Sequence, residues 1–510
     1  MTLPRPLLAA LSGLLLVLSF PKFGHWSVAW IALVPLLVAL GGAATGGEGF
    51  RLGYISGFVS AVGLLYWTSL TVIQYGGLNE ATAVTVMVLL SLAVALFSGL
   101  FGWCVSRWTR RFGTLALLLS PLAWVATEIL RAHVLYRFPW CLLGYSQLPN
   151  LPFIQIASLT AVYGVSFLVA GTSGALAYAI AEPARPRRLR ALLALVLVLA
   201  AVGGFGARRL GQAPPETDHL RVGLVQASIL QGDKWEPRKA WQNFEHHLAL
   251  TRQAIAGGAR LVVWPESALP FLYDEEPVVA SQLQALAREH RVYLLFGNDD
   301  REGGKRGRIW VGAKLVTPEG RLAYRYHKIR LVPFGEYVPL QPLLTLGGRY
   351  AAKLVRDVGE FTPGEEAAVG NVDGHGFGTL ICFEVIFPDL VRQFTAQGGD
   401  LLVNITNDAW YGYSSAPYQH LAMAAFRAVE NGKYLVRAAN TGISAVVDPR
   451  GRVVERTNLF DRTLLVRDVP IVGGQTFYSR HGDVFAWACF VLAAVLSVLG
   501  PPARPPAEAS

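Results

Sequence analysis

Three side chains that could act together in nucleophilic catalysis each follow a short apolar, strand-like run. Glu266 follows Leu261–Trp264, Lys328 follows Leu322–Tyr326, and Cys382 follows Thr379–Ile381. Taken singly, each has an ordinary structural interpretation: a solvated turn carboxylate, an exposed lysine, or a small core cysteine. Taken together they supply a thiol, a base and a cation, which is what a thiol needs to attack an ester as a thiolate.

The chemistry assigns each of these side chains a role. Cys382 is the predicted nucleophile, because it lies at a sharp turn between a strand and a helix that opens at Pro388. Glu266 is the predicted base, which takes the thiol proton and returns it to the leaving alcohol. Lys328 and the backbone N–H of Phe383 are expected to stabilise the tetrahedral oxyanion.

Two further carboxylates lie close to these residues in the sequence. Glu336 follows Lys328 by eight positions and Glu384 follows Cys382 by two. We interpret both as supporting residues that orient Lys328 and the turn at Cys382. The alternative is that both are simple surface carboxylates.

The composition indicates that part of the chain lies in a membrane. The 510 residues are 53% hydrophobic and 16% charged, whereas soluble domains carry about 25% charged residues. Eight apolar segments approach the ~20 residues that cross a bilayer; they are Leu7–Phe20, Trp26–Leu40, Leu52–Ile73, Ala83–Val105, Gly113–Leu130, Ile156–Ala181, Ala191–Ala207 and Val484–Gly500. The first could instead be a signal-peptide core, and buried soluble helices are the alternative for the others.

Basic residues between the apolar segments predict the orientation. The formal net charge is +10, and its clusters at Arg107–Arg111 and Arg185–Arg190 indicate topology rather than nucleic-acid binding. If every segment spans, both loops are cytoplasmic and the region after the seventh segment is outside. We therefore predict a multi-pass membrane protein whose large polar domain lies outside the cytoplasm. The outer loop Arg131–Pro139, which continues to Tyr145, is either an interfacial loop or a contact for lipid headgroups.

The region from Asp218 to Pro470 has the pattern of a soluble α/β domain. Strand-like runs are Arg221–Val225, Leu261–Trp264, Val292–Gly297, Val311–Val316, Leu322–Tyr326, Thr379–Ile381, Leu401–Ile405, Tyr434–Arg437, Ser444–Val447 and Leu464–Val469. Helical patterns are Ala240–Ala256, Val279–Glu289, Asp389–Ala396 and Gln419–Val429. This alternation favours layered sheets covered by helices. We predict a membrane domain at residues 1–210, a catalytic domain at 218–470 and a last span at 484–500.

The ordered Glu266, Lys328 and Cys382 resemble the Glu-Lys-Cys triad of the carbon–nitrogen hydrolase (nitrilase) superfamily. The eight apolar segments and several motifs narrow the resemblance to the bacterial apolipoprotein N-acyltransferase family. The motifs are WPESALP (264–270), VPFGEYVP (332–339), NITNDAWYG (404–412), RAVE (427–430), RAANTG (437–442) and YSRHGD (478–483). Phe383 departs from the Tyr that is expected at least as often after the nucleophile, but its contribution is a backbone N–H.

The resemblance implies a fold, an activity and two substrates. The catalytic domain would be an αββα sandwich that uses neither metal nor cofactor. A phospholipid, typically phosphatidylethanolamine, would donate its acyl chain to Cys382 as a thioester. The acceptor would be the α-amine of the diacylglyceryl-modified N-terminal cysteine of an apolipoprotein.

Contacts with the substrates are predicted less directly. The apolar segment Pro339–Leu354, with Leu343 and Leu344, is either a lid that enters the membrane interface or a loop packed on its own domain. Trp235 could contact an acyl chain or the lid, and Tyr145 belongs to the outer loop. Two other functions compete: a membrane-anchored amidase that passes the acyl group to water, and a non-catalytic membrane scaffold.

Overall fold

Apolar helices account for most of the chain before residue 212, and the chain after it alternates β-strands with helices. The computed structural model describes residues 3–77, 79–134, 137–234, 236–303, 307–338 and 361–499. The chain divides into two compact units. The helical unit comprises Met1–Gln212, Ser414–Phe426 and His481–Ser510, and the sandwich unit comprises Ala213–Tyr413 and Arg427–Arg480.

The helices and strands are numbered in chain order. The helices are α1 Arg5–Ser19, α2 Ala29–Ala32, α3 Val34–Gly41, α4 Gly46–Leu65, α5 Trp67–Tyr75, α6 Glu80–Phe112, α7 Leu115–His133, α8 Leu151–Ile154, α9 Ala157–Ala181, α10 Arg185–Gly211, α11 Gln231–Lys234, α12 Ala240–Ala256, α13 Pro277–His290, α14 Pro388–Ala396, α15 Ala416–Asn431, α16 Phe477–His481 and α17 Val484–Val498. The strands are β1 Glu216–Gln226, β2 Leu261–Val263, β3 Tyr293–Gly297, β4 Asp300–Glu302, β5 Arg308–Trp310, β6 Gly312–Val316, β7 Leu322–His327, β8 Val369–Val372, β9 His375–Ile381, β10 Leu401–Thr406, β11 Tyr434–Ala439, β12 Ala445–Val447, β13 Val453–Arg456 and β14 Thr463–Val472.

Each of the eight predicted apolar segments is helical, but they differ in length. Among the described residues, α6, α7, α9 and α10 are long and apolar enough to cross a membrane, and the bent pair α4–α5 would be a fifth span if it is continuous. The helices Arg5–Ser19, Trp26–Gly41 and Val484–Val498 are apolar but shorter. The structure therefore supports several spans, and the count of eight stays a prediction.

Helices α4 and α6 approach closely because small residues line the contact. A Cβ atom at Gly53 would collide with the main-chain oxygen of Ser98, and one at Gly57 would lie 2.5 Å from the Ser98 Cβ. Glycines spaced by four residues let two helix backbones meet, which stabilises helix pairs inside lipid. Thr45 caps α4 by accepting a hydrogen bond from the Glu48 N–H at 3.1 Å.

The basic ends of several helices lie together at one end of the helical unit. Arg107 in α6 donates to the main-chain oxygen of Ser497 at 2.7 Å, and Arg111 donates to that of Leu499 at 2.8 Å. Thr114, just before α7, donates to Glu182, just after α9, at 2.7 Å. The ends of α6, α9 and α17 and the starts of α7 and α10 therefore share one side.

The segment Ser414–Phe426 belongs to the helical unit although it lies between strands β10 and β11 in the sequence. Trp140 Nε1 donates to Gln419 Oε1 at 2.8 Å, and the Ser415 N–H donates to the Tyr66 hydroxyl at 3.1 Å. Most of α15 is thus part of the helical unit, while the end of α15 belongs to the sandwich unit.

Two six-stranded sheets make up the sandwich unit. Their strand orders are β14-β1-β2-β3-β6-β7 and β13-β12-β11-β10-β9-β8. Strand β1 contacts β11, helices α12 and α13 cover the first sheet, and α14 contacts β9 in the second. The ten predicted strands and four predicted helices are present, and the layers follow the predicted αββα order. Because β2 is parallel to β1 and β3, and β10 is parallel to β9, several carboxyl ends bring side chains to one edge.

Candidate active site

Glu266 follows the buried strand β2, and both of its carboxylate oxygens are bound. Oε1 accepts a hydrogen bond from Lys328 Nζ at 3.0 Å, and Oε2 accepts one from the Asn407 backbone N–H at 2.9 Å. A Cβ atom at Gly297 would lie 2.7 Å from the Glu266 Cα, so the neighbouring strand packs directly on this turn. The carboxylate is 7% exposed and has a fixed orientation, as a general base requires.

Lys328 follows strand β7 and lies between two carboxylates. Its Nζ donates to Glu266 and, at 2.6 Å, to Oε1 of Glu336. Its own main chain is held on both sides, since its N–H donates to Val311 and its carbonyl accepts from Gly364. Burial would lower the pKa of the Lys328 ammonium, but Glu266 and Glu336 outweigh burial and raise that pKa well above its ordinary value. The two carboxylates therefore favour the charged form of Lys328.

Cys382 occupies the turn that the sequence predicts. Strand β9 ends at Ile381, and Cys382 begins a short 3₁₀ turn with a positive φ of +51°. Such a φ is strained for a residue with a side chain and is typical of a nucleophile held at a strand-to-helix turn. Burial and the negative charge of Glu266 raise the pKa of the Cys382 thiol, and Lys328 opposes them. Glu266 and Lys328 are therefore both within electrostatic range of the Cys382 thiol.

Glu336 and Glu384 hold the surrounding loops. Glu336 Oε2 accepts a hydrogen bond from the Val332 N–H at 2.8 Å, in addition to the bond with Lys328. Burial raises the pKa of Glu336, and the charge of Lys328 opposes that shift. The Glu336 side chain is 14% exposed and Glu384 is fully buried, so neither lies on an open surface.

Glu384 ties the Lys328 loop to the Cys382 turn. Its Oε1 accepts hydrogen bonds from the Tyr326 hydroxyl at 2.7 Å and from the Ile329 N–H at 2.6 Å. Its Oε2 accepts one from the Ile381 N–H at 2.8 Å, directly before the cysteine. Burial raises the pKa of Glu384 to about 7, against these hydrogen bonds. Glu384 thus contacts both segments, and its role in orienting them stays a prediction.

Sequence reasoning missed the residues that follow strand β10. Asn407 contributes its backbone N–H to Glu266, and Asp408 Oδ2 accepts a hydrogen bond from the buried Arg437 at 2.7 Å. Strand β10 is parallel to β9 with Ile405 opposite Ile381, so Asn407 necessarily comes near Cys382. The NITND motif directly after an apolar run is the signal that could have identified this loop.

The structure describes one of the four residues that are predicted to contact substrate. Trp235, Leu343 and Leu344 lie outside the described residues. Tyr145 is in the helical unit, where it is 2% exposed and packs edge-on against Phe426 with ring centroids 5.1 Å apart. Contacts of these four residues with substrates stay predictions.

Two protein families match different parts of the chain. The Carbon-nitrogen hydrolase family matches residues 221–477, which contain Glu266, Lys328 and Cys382. The family named Apolipoprotein N-acyltransferase N-terminal domain matches residues 12–175, which cover most of the helical unit. The α/β part therefore has a nitrilase-like fold.

Curated relatives are similar over nearly the full length. An apolipoprotein N-acyltransferase of Geobacter metallireducens is 43% identical over 500 residues, covering 97% of this chain and 94% of the relative. One of Methylococcus capsulatus is 34% identical, covering 94% and 92%. Among solved structures, a mutant of the Nesterenkonia AN1 amidase from the nitrilase superfamily covers 51% of this chain and 94% of its own, with 24% identity and a TM-score of 0.37.

Proposed function

Because the chain belongs to the apolipoprotein N-acyltransferase family, we propose that it moves an acyl chain from a phospholipid to the N-terminal amine of diacylglyceryl-cysteine in apolipoproteins. The observation that carries the proposal is the contact of Lys328 with Glu266 at 3.0 Å in the unit where Cys382 has its positive φ. The near full-length similarity favours transfer over hydrolysis, because it includes the helical unit.

The first half-reaction forms a thioester. Glu266 takes the proton from Cys382 as the sulfur attacks the ester carbonyl of the phospholipid, and the carbonyl oxygen becomes an oxyanion. Lys328 and the N–H of Phe383 stabilise that oxyanion. As the carbon–oxygen bond breaks, Glu266 gives its proton to the leaving alcohol, and a lysophospholipid departs.

The second half-reaction reverses the roles of nucleophile and leaving group. The amine of the acceptor attacks the thioester carbonyl, and a second oxyanion forms beside Lys328. Glu266 takes a proton from the amine and supplies it to the departing sulfur of Cys382. An amide forms, the thiol is regenerated, and no metal or cofactor takes part in either step.

The proposed acyl donor is phosphatidylethanolamine, and its support is the family resemblance. Purified protein should be incubated with liposomes of phosphatidylethanolamine, and with matched liposomes in which phosphatidylcholine or phosphatidylglycerol replaces it. Thioester formation that is fastest with phosphatidylethanolamine is expected. Equal rates with the three headgroups would contradict this choice of donor.

The proposed location is the bacterial inner membrane, with the catalytic residues on the periplasmic side. The helix ends around Arg107, Arg111 and Glu182 share one side and carry the basic loops, which mark the cytoplasmic side. A reporter enzyme active only outside the cytoplasm should work when fused after Gly211 and fail when fused after Arg188. The opposite pattern would contradict the orientation.

Mass spectrometry of the purified protein tests the function directly. After incubation with phospholipid and no acceptor, the peptide with Cys382 should carry one acyl chain, and Cys382→Ala protein should carry none. Adding a diacylglyceryl peptide should discharge the thioester and yield an N-acylated peptide. Rapid discharge to a free fatty acid by water, with no transfer to the amine, would instead identify a hydrolase.

A further inference from the structure

Lys234 is a buried cation that the two half-reactions leave without a role. It ends helix α11 and is 6% exposed. Its Nζ donates a hydrogen bond to the main-chain oxygen of Glu266 at 3.0 Å. Helix α11 is itself anchored, because Asn243 in α12 donates to the main-chain oxygen of Asp233 at 3.0 Å. The ammonium is thus held against the main chain of the proposed base.

The turn at Glu266 needs such support because its backbone is constrained. Ser267 has a positive φ of +44°, which is unfavourable for a residue with a side chain. The Ser267 hydroxyl donates to Asp299 Oδ1 at 2.9 Å. Lys234, Asp299 and the close-packed Gly297 therefore fix Glu266 and Ser267 from different directions.

The charges around Lys234 are mixed. Burial lowers the pKa of the Lys234 ammonium, whereas the nearby carboxylates of Glu266 and Asp299 oppose this shift. Burial also raises the pKa of Asp299 to about 6, and Lys234 opposes that shift. Lys328 and Cys382 are within electrostatic range of Lys234 as well. Lys328 and Lys234 therefore place two positive charges around Glu266.

A small cavity of about 10 Å³ lies next to Lys234. Lys234, Asn243, His247 and Glu266 line it together with apolar residues; these are Ile229, Pro265, Ala268 and Pro270. His247 Nδ1 lies 2.8 Å from the main-chain oxygen of Asn243, so Nδ1 carries the proton of the neutral ring and Nε2 is an acceptor. Burial lowers the pKa of His247 to about 4, which keeps the ring neutral. The neutral ring therefore adds no positive charge beside Lys234.

We propose that Lys234 is a positioning residue whose ammonium fixes the main chain of Glu266 and whose charge, close to Cys382, favours the thiolate over the thiol. This inference rests on the proposed acyl transfer through Cys382. It differs from the role of Lys328, because Lys328 binds the carboxylate of Glu266 whereas Lys234 binds its main-chain oxygen.

Three variants of the full-length protein separate the effect of the Lys234 charge from the effect of its hydrogen bond to Glu266. Lys234→Arg keeps both the charge and a donor, Lys234→Gln keeps a donor without the charge, and Lys234→Met removes both. The readout is the rate at which iodoacetamide alkylates Cys382, followed by peptide mass spectrometry across pH 5 to 10. The other charged and titratable groups that face Cys382 are unchanged in every variant; they are Glu266, Lys328, Asp408 and Tyr411.

The expected result is a shift of the rising limb of this pH profile, since the pKa of the thiol is raised and the rate increases with pH. In Lys234→Met and Lys234→Gln this limb should move up by about one pH unit, because one nearby positive charge is lost. Alkylation at pH 7 should then be about tenfold slower, whereas Lys234→Arg should keep the profile of the unchanged protein. A purely structural lysine would lower the thermal midpoint without moving the pH profile.

Two results would overturn the inference. One is an identical pH profile of Cys382 alkylation in the unchanged protein and its three variants. The other is that circular dichroism shows Lys234→Met and Lys234→Gln to be unfolded. Lys234 would then be required for folding and not for positioning Glu266. Failure of the proposed function looks different: Cys382 would be alkylated normally, yet phospholipid would leave no thioester on it.

Discussion

Lys328 Nζ lies 3.0 Å from Glu266 Oε1, and the two side chains are 0% and 8% exposed. Glu336 Oε1 lies 2.6 Å from the same Nζ atom. Among the described residues these two carboxylates engage two of its three N–H groups, which leaves one to reach an oxyanion. One cation thus orients the base and can also stabilise charge that develops on the substrate.

Replacing Lys328 by alanine should slow both half-reactions. Each forms an oxyanion beside the ammonium, so we expect a loss of at least ~10²-fold in each step. Single-turnover assays that follow thioester formation and aminolysis separately would measure this. Removal of the cation also leaves Glu266 and Glu336 buried without it, which should destabilise the fold by about 3–5 kcal/mol.

Lys433→Met is the matched control for that loss of stability. Lys433 is also buried, but it binds Asp400 at 2.8 Å and the main-chain oxygen of Val472. This variant should be destabilised and yet transfer acyl chains at a near-normal rate once folded. Thioester formation by Lys328→Ala at the normal rate would show that another group stabilises the oxyanion.

The order of the two substrates is a second prediction. Because the lysophospholipid leaves before the amine arrives, double-reciprocal plots with both lipids should give parallel lines. Cys382→Ser should be nearly inactive, since a hydroxyl is a far poorer nucleophile than a thiolate. Glu266→Gln keeps the shape but cannot accept a proton, so no thioester should form.

Cys104→Ser is the control for cysteine replacement, because Cys104 is buried in α6 of the helical unit. It should keep full transfer activity. Intersecting double-reciprocal lines, or acyl transfer by Cys382→Ala, would require a direct reaction between the two bound lipids.

Most strands were predictable from the sequence because each is a short, mostly apolar run. The ten strands so predicted are present; Lys328 and Cys382 directly follow β7 and β9, and Glu266 lies three residues after the end of β2. Strands β4, β5, β8 and β13 were missed because they have three or four residues and include polar, glycine or exposed positions. Propensity alone does not identify such strands, whose pairing depends on their neighbours.

The contacts that fix Glu266 were harder to predict because they depend on strand register. Asn407 contacts Glu266 through its backbone N–H, so the NITND motif indicates the loop but not this contact. Lys234 lies 32 positions before Glu266 and donates to a main-chain oxygen. Its sequence neighbours, an Asp and a Trp, give no sign that the ammonium is buried. The burial of the Lys234 ammonium is seen only in the folded structure, where α11 lies close to the turn that follows β2.

The close contact of α4 with α6 gives a third prediction. Gly53→Leu would force a side chain against the main chain at Ser98, so the thermal midpoint in detergent should fall, with a loss of at least about 2 kcal/mol. Gly47→Ala is the matched control in the same helix, because its added Cβ would meet only Thr45 Oγ1, at 3.9 Å. Equal midpoints for the two variants would contradict close packing at Gly53.

Glu384 should give the protein a pH-dependent stability of unusual sign. Burial raises its pKa to about 7 from 4.5, so the folded protein binds this proton more tightly than the unfolded chain. The stabilising contribution is complete below pH 4.5 and is lost as the pH rises through 7, by about 3 kcal/mol in all. Thermal midpoints in detergent between pH 4.5 and 8 would measure the decline.

Glu384→Gln isolates this contribution because the amide keeps the shape and does not titrate. The decline between pH 4.5 and 8 that belongs to Glu384 should disappear in this variant. Tyr326→Phe is the control: it removes one hydrogen bond to Glu384 at 2.7 Å but keeps the carboxyl group, so the decline should remain. If the curves of Glu384→Gln and the unchanged protein run parallel, Glu384 is ionised throughout this range, because its N–H and hydroxyl donors then outweigh the effect of burial.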